Sequence, residues 1–561
     1  MSKSEYISAL QQLYATLEEP DLVLGVASMR DHDPSLGELI QLHEATGNYQ
    51  DALSCYKLHP GDPFGHVQMY LNIDQPHTAA AMAARLGQYH EEISSRLAPL
   101  QVEAAWQLGN WEDVNKFSKY EEQPLVMKYE LDTGGWEVQL GQVLMAVKNE
   151  EWTKMKGLID KCRCDIVESL SSGSLIPGAY YRNYNIINKL GMLNEVEMIA
   201  EKFLMSSIKQ LSSASLGTTE LLSELSYRLL YTQKSWNVVE PILRLRRCCF
   251  GLARDRIRPY NGQLADRLDY EIGESWIKSA RLARESGQVQ ESYSLLIETK
   301  KFKHPETFLE FAKLSWDRGQ KTEAVNILNK GISDNFSVVC QALSDEDVPP
   351  KTRNSNIARA VQSLAKGEKE VLCQGKLLLA KYLEESRSVS SEEVSSIYSQ
   401  IKLFSKTDEE VYFSYARSLD KQIQRLSPEQ QIQHADLIYH TIIGYIRSIH
   451  NGPTYIHHAL PRMLTLWLDY TEVIENFIKT KGKDQIFIAS LSHASKNMDT
   501  FIDQYSKWSS MIPSYYFLTA LPQLVSRICH VHQKSYSLLS KILVNLLSPQ
   551  MVSKMVMQLL Y

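Results

Sequence analysis

A chain of 561 residues exceeds the roughly 250 to 300 at which one hydrophobic core stops growing, so it encodes either several globular domains or one extended array. Hydrophobic residues at 44% and charged residues at 22% exclude a disordered or collagen-like polymer. A net charge of -6 excludes a global positive field that would draw the protein onto nucleic acid or anionic lipid, and no direct nucleic-acid binding is expected.

The chain opens on Met1-Ser2-Lys3-Ser4-Glu5-Tyr6, without the apolar core of a secretory signal, and no stretch reaches the roughly 18 uncharged apolar residues that span a bilayer. No membrane association is expected. The eight cysteines show no repeated spacing, so reduced thiols and a cytoplasmic or nuclear compartment are expected.

Along the chain one phrase recurs: an apolar helix runs into Gly, a polar residue, often an aromatic, and then a second amphipathic stretch. It appears at Gly47-Asn48-Tyr49, Gly87-Gln88-Tyr89 and Gly109-Asn110-Trp111, and more loosely at Gly191, Gly287-Gln288-Val289 and Gly319-Gln320. Glycine in the left-handed conformation closes the first helix, and the aromatic packs the start of the second. Helical hairpins of tetratricopeptide type are built this way. Gly287 and Gly319 lie 32 residues apart, close to the roughly 34 of that repeat, whereas Gly47 to Gly87 spans 40 and Gly87 to Gly109 only 22.

The expected fold is therefore all-α, an irregular tetratricopeptide/HEAT-like helical-hairpin solenoid running through residues 1–561, with almost no β-sheet. Between Trp276 and Leu296 the apolar or small residues Trp276, Ala280, Ala283, Tyr293 and Leu296 mark the packed side and the charged residues the solvated side. Short connectors are expected at Pro60–Pro76, Ser171–Gly178, Ser206–Thr219, Ser344–Asn356 and Ser386–Glu392. None is long enough to separate domains, which favours one continuous array. Residues Ser535 to Tyr561 end without a closing Gly, Asn or Pro, the expectation for a piece of a longer chain.

No phosphate-cradling glycine loop, nucleophile elbow or paired metal motif is present, so no catalytic residue, cofactor site or metal site is expected. Asp317-Arg318-Gly319 superficially resembles part of a kinase loop but falls in a hairpin turn. Cys529-His530-Val531-His532 offers zinc-type ligands without the further ligands that a tetrahedral site needs, and Cys162-Arg163-Cys164 has no matching second pair. The most basic stretch places Arg244 with Arg247, and Arg254 with Arg258, on shared helix faces. That arrangement suits either an anion or acidic partner, or a solvated face near a helix C-terminus.

Leu460-Pro461-Arg462-Met463-Leu464-Thr465-Leu466-Trp467-Leu468-Asp469-Tyr470 resembles the signature near the end of the FAT domain in phosphatidylinositol-kinase-related protein kinases. Further phrases agree in order: Leu17–Asp21, Val102–Trp106, Glu240–Leu243 with Arg246-Arg247, Ser275–Arg281 and Gln523–His530. The resemblance covers about residues 13–547 and tilts toward the DNA-damage checkpoint members. It implies a FAT scaffold wrapping a kinase domain in cis, checkpoint protein partners, a nuclear location, and phosphorylation of Ser or Thr before Gln using ATP and magnesium. The kinase domain and the long N-terminal HEAT region of that family are not within these 561 residues, so no catalytic residue carries over. Of the signature residues, Trp467 and Tyr470 are expected in the core, and Arg462 and Asp469 in local polar contacts. The other reading is a stand-alone helical-repeat adaptor that binds protein partners.

Overall fold

The computed structural model describes residues 3–17, 19–31, 33–58, 62–88, 91–119, 134–173, 179–205, 216–344, 356–357, 359–405, 407–481, 485–508 and 512–546. The fold is an all-α helical solenoid, and no strand occurs among the described residues. Helices pack mainly against their neighbours in sequence. The chain divides into two compact units, Met1–Glu310 and Phe311–Tyr561, at a point inside the Thr307–Asp317 helix and not at any of the expected connectors.

Helix starts follow side-chain capping. Ser35, Ser390 and Ser427 accept from the backbone N–H three residues on, while Glu38, Glu393 and Gln430 reach back to the capping residue's own N–H. Helix ends follow the Schellman pattern. At Gly109 the amide donates to Trp106 O (3.2 Å) and the Asn110 amide to Ala105 O (2.9 Å), with Gly109 at φ 72°. Gly47, Gly287 and Gly319 repeat it at φ 73°, 78° and 79°.

Two of the six glycines behave otherwise. Gly87 ends the Pro76–Gly87 helix without a left-handed residue, and Gly191 lies inside the Ala179–Ile199 helix. Left-handed closure is instead also supplied by Asp74, Glu150, Lys303 and Arg387. At Glu150 the amide bonds to Val147 O and the next amide to Ala146 O, the same hydrogen-bond pattern as at Gly109. The supposed connector Pro60–Pro76 contains a helix, Pro63–Asn72, because Asp62 caps it and Pro63 occupies the first turn, where its missing N–H costs nothing. Ser386–Glu392 is a connector, closed by left-handed Arg387 and followed by the Ser390 cap. Tyr89, Pro60, most of the connectors at 171–178, 206–219 and 344–356, and the tail at 547–561 lie outside the described residues.

In the first unit the main core runs from Val102 through Leu144, Met155, Phe203 and Phe250 to Ile272. Ala280, Ala283 and Leu296 are buried as the periodicity predicts, whereas Tyr293 is exposed and Leu295 takes the inner position. In the second unit the main core gathers around Trp467, Met463, Tyr445 and Phe501. No described helix is long and apolar enough to cross a membrane.

Candidate functional site

The arginine helix, Trp236–Ile257, buries Glu240, Arg244, Arg246 and Arg247. Glu240 is 1% exposed, and its Oε1 accepts from Arg244 Nε (3.2 Å) and Arg247 Nη2 (2.6 Å). Arg244 also meets Asp74 Oδ1 at 3.1 Å and donates to Leu71 O. Burial works against its charge, but Asp74, Glu240 and Glu103 together outweigh it and hold its pKa above the ordinary guanidinium value. Arg247 donates to Ser279 Oγ (2.7 Å) and stacks on Trp276, 3.9 Å from the ring centre. Arg246, between them, grips Glu195 with two bonds of 2.7 and 2.6 Å and donates to Leu225 O.

Arg254 and Arg258 share Asp269 of the next helix, Arg254 also meeting Asp255 and Arg258 Asp266. The expected patch of Arg244, Arg247, Arg254 and Arg258 is thus not one open cationic face. Arg244 and Arg247 are buried rather than solvated, and every member already holds a carboxylate. Local charge counting missed this because Asp74, Asp269 and the buried setting of Glu240 arrive through tertiary packing.

Beside this charge cluster lies a cleft of about 670 Å³. Glu103, Trp106 and Gln107, three and four residues apart on one face of the Glu91–Leu108 helix, form part of its wall. Trp136 and Trp236 come from two further helices. Trp236 Nε1 donates to Asn72 O (3.1 Å), Tyr49 OH to Asn237 Oδ1 (2.6 Å), and Asn188 Nδ2 to Val238 O (3.1 Å), so the wall is braced from several sides. Gln107 Nε2 donates to Glu103 Oε1 at 3.0 Å, and burial pushes the Glu103 carboxyl above its usual range.

In the second unit the signature helix is Ile456–Lys481. Arg462 holds Asp420 by two bonds of 2.8 Å, and Tyr445 OH donates to the same carboxylate (3.3 Å). Trp467 is fully buried, edge-on to Phe501 with ring centres 5.6 Å apart. Asp469 meets Arg527 at 2.6 Å, and Tyr470 OH donates to Gln431 O. Gln523 Nε2 donates to Pro461 O and Thr465 Oγ1, and His530 Nε2 lies 3.0 Å from Leu468 O. The signature and the Gln523–His530 phrase are therefore one packed assembly.

The remaining motifs are occupied by structure. His530 Nδ1 accepts from the His532 amide, and His532 Nδ1 accepts from the Ser535 amide at the start of the last described helix. No metal-holding group of His, Cys, Asp and Glu occurs among the described residues. Cys162 is buried and Cys164 exposed on the same helix, two residues apart and facing different ways. Asp317-Arg318-Gly319 is the Schellman turn at Gly319.

Residues 98–465 match the family model described as the FAT domain. The chain belongs to the FAT domain family. A second model, described as serine/threonine-protein kinase ATR-like, HEAT repeats, matches residues 500–560 of this FAT chain. Among curated proteins it is 22% identical to serine/threonine-protein kinase ATR of Drosophila melanogaster, over 97% of this chain and 20% of that protein. Protein kinase rad3 of Schizosaccharomyces pombe is 22% identical over 97% of this chain and 21% of its own length. ATR of Arabidopsis thaliana is 23% identical over 96% and 20%. The FAT chain thus spans about a fifth of the length of these relatives. Among solved structures, the complete CtTel1 dimer with C2 symmetry has a TM-score of 0.55 at 14% identity, covering 96% of this chain and 21% of that one. The FAT and kinase domain of CtTel1 has a TM-score of 0.52 at 14% identity, covering 96% and 39%. The likeness to both concerns the fold.

Proposed function

We propose that this chain is the scaffold portion of an ATR-type serine/threonine protein kinase of the DNA-damage and replication-stress checkpoint, and that it supports a kinase domain carried elsewhere in the same polypeptide. The observation that carries the reading is continuity: 96–97% of the chain aligns with about a fifth of kinases named ATR or rad3. The interior agrees with a supporting role. Its ion pairs run within and between helices, at Arg246–Glu195, Arg247–Glu240 and Arg462–Asp420, which fixes relative helix positions.

On this reading ATP and magnesium are bound by the kinase domain and not by these residues, Ser or Thr before Gln is the substrate, the location is nuclear, and checkpoint proteins are the partners. The cheapest test is to sequence the transcript beyond the codon for Tyr561. An open frame that continues into a kinase domain is expected. A stop codon with no kinase sequence in the frame would favour the stand-alone adaptor.

A further inference from the structure

The cleft in the first unit has a composition that the scaffold reading does not use. Three of its lining polar atoms are buried and have no hydrogen-bond partner among the described residues: Glu240 Oε2, Trp106 Nε1 and Gln107 Oε1. Glu240 and Trp106 are 1% and 5% exposed. Two of the three atoms are acceptors, and one is a carboxylate oxygen, which is costly to leave unmatched in a buried position.

The charge balance points the same way. Among the described lining residues the acidic side chains are Glu103, Glu137 and Glu240 and the basic ones Lys189 and Arg244, and Arg247 behind the wall also holds Glu240 Oε1. Arg244 is committed to Glu240 Oε1 and Asp74, and the Lys189 ammonium sits 5.6 Å from the centre of the Trp136 ring. Both lining cations are thus engaged, so an anionic ligand would have to compete for them. A cation would meet carboxylates beside the indole walls of Trp106 and Trp236, a setting that suits a guanidinium better than an ammonium, because its plane stacks and its fork reaches a carboxylate.

The rest of the lining is rich in carboxamides, among them Gln68, Asn72, Gln107, Asn183, Asn188 and Asn237. A carboxamide presents one acceptor and two donors, the complement of a peptide group, and carboxamides from several helices give successive contacts to an extended main chain. The cleft volume falls within the roughly 300 to 1,000 Å³ that buries a small ligand or a few residues of peptide.

We propose that this cleft binds an extended segment of another polypeptide, its main chain held by the carboxamides and one arginine side chain inserted between the indoles toward Glu240 and Glu103. The Trp106 indole N–H donates to a main-chain carbonyl of that segment, and Gln107 Oε1 accepts from a main-chain amide. This assignment holds whether or not the chain serves a kinase.

The test uses the full 561-residue chain and pools of rhodamine-labelled nine-residue peptides, with uncharged residues randomised around a fixed central Arg, Lys, citrulline or Glu, read by fluorescence anisotropy. Saturable binding of the Arg pool is expected, at least about tenfold tighter than the citrulline pool, with the Glu pool weakest. Trp106→Phe removes the indole N–H together with one fused ring of the wall, and Glu103→Gln removes a charge. Each is expected to lower Arg-pool affinity about threefold or more; Glu103→Gln, at a partly exposed position, is expected to do so with an unchanged melting temperature. Glu240 is left intact because Arg244 and Arg247 depend on it. Equal affinity for the Arg and citrulline pools, wild-type affinity in both folded variants, or no saturation below about 1 mM would each overturn the assignment and leave a cleft that is only hydrated.

Discussion

Arg246 and Glu195 are each about 5% exposed and joined by two short bonds, and Arg246 Nη2 also donates to Leu225 O. Removing one partner strands the other charge in the core, whereas removing both removes the problem. Arg246→Met is therefore expected to lower stability by about 3 to 5 kcal/mol, and Arg246→Met with Glu195→Met to recover most of it, as read from urea midpoints. Additive losses would mean that the pair is not coupled. His304 makes a second prediction. It is buried, with the Tyr270 ring tilted against it at 4.3 Å and Glu274 and Lys278 nearby; its Nδ1 accepts from the Glu306 amide. Burial, opposed by Glu274, pulls its pKa from 6.5 down to about 4. The unfolded chain binds this proton more readily, so stability is full above pH 6.5 and falls as pH drops toward 4, by roughly 3 kcal/mol in all. His304→Gln is expected to remove that part of the acid slope between the two values, and an unaltered slope would assign it to other groups.

At the level of helices and turns, chemically identical glycines have opposite roles. Gly109 sits at φ 72° and a Cβ there would meet no neighbour, so Gly109→Ala carries only the left-handed strain, about 1 kcal/mol. Gly191 is an exposed interior position of a helix, again with open space around it, and Gly191→Ala is expected to stabilise by about 0.5 to 1 kcal/mol. Thermal melts of the two variants should shift in opposite directions; a shared direction would contradict the turn assignment. The contrast also marks what was legible in the sequence. Gly47, Gly109, Gly287 and Gly319, each followed by a polar residue and then a new helix, disclosed helical hairpins, whereas the helix starts at Ser35, Ser390 and Ser427 emerged only from the structure, although each has its capping partner three residues on. Left-handed Asp74 and Glu150 were not legible, because their backbone conformation is imposed by the Schellman bonds around them and not by residue type. The helix at Pro63–Asn72 was hidden for a related reason: Pro, Gly and Asp clustered there as a loop would have them, yet Asp62 and Pro63 are start signals.

For the whole molecule, the all-α solenoid follows from periodicity and hairpin phrases, and the family from the Leu460–Tyr470 string and its ordered companions. The division into two units was invisible in the sequence because it falls inside a continuous helix, with no composition shift to mark it. The cleft was invisible as well. Its parts lie at positions from 17 to 244, and each alone reads as ordinary packing: a Trp in a turn phrase, a Glu before a Pro, scattered Asn and Gln. Arg244 was read either as part of a patch for an anion or acidic partner or as part of a solvated face, and its surroundings fit neither, since it is buried and Glu240 and Asp74 already neutralise it. The scaffold role proposed for this chain is support of phosphoryl transfer by a kinase domain in cis. The most direct measurement is transfer from magnesium-ATP to a Ser-Gln peptide by the purified 561-residue chain, beside the same chain joined in cis to the kinase domain of its reading frame and beside that domain alone. Transfer only by the joined protein, with the bare domain much weaker and the chain silent, is the predicted result; transfer by the chain alone, or full activity of the bare domain, would contradict it.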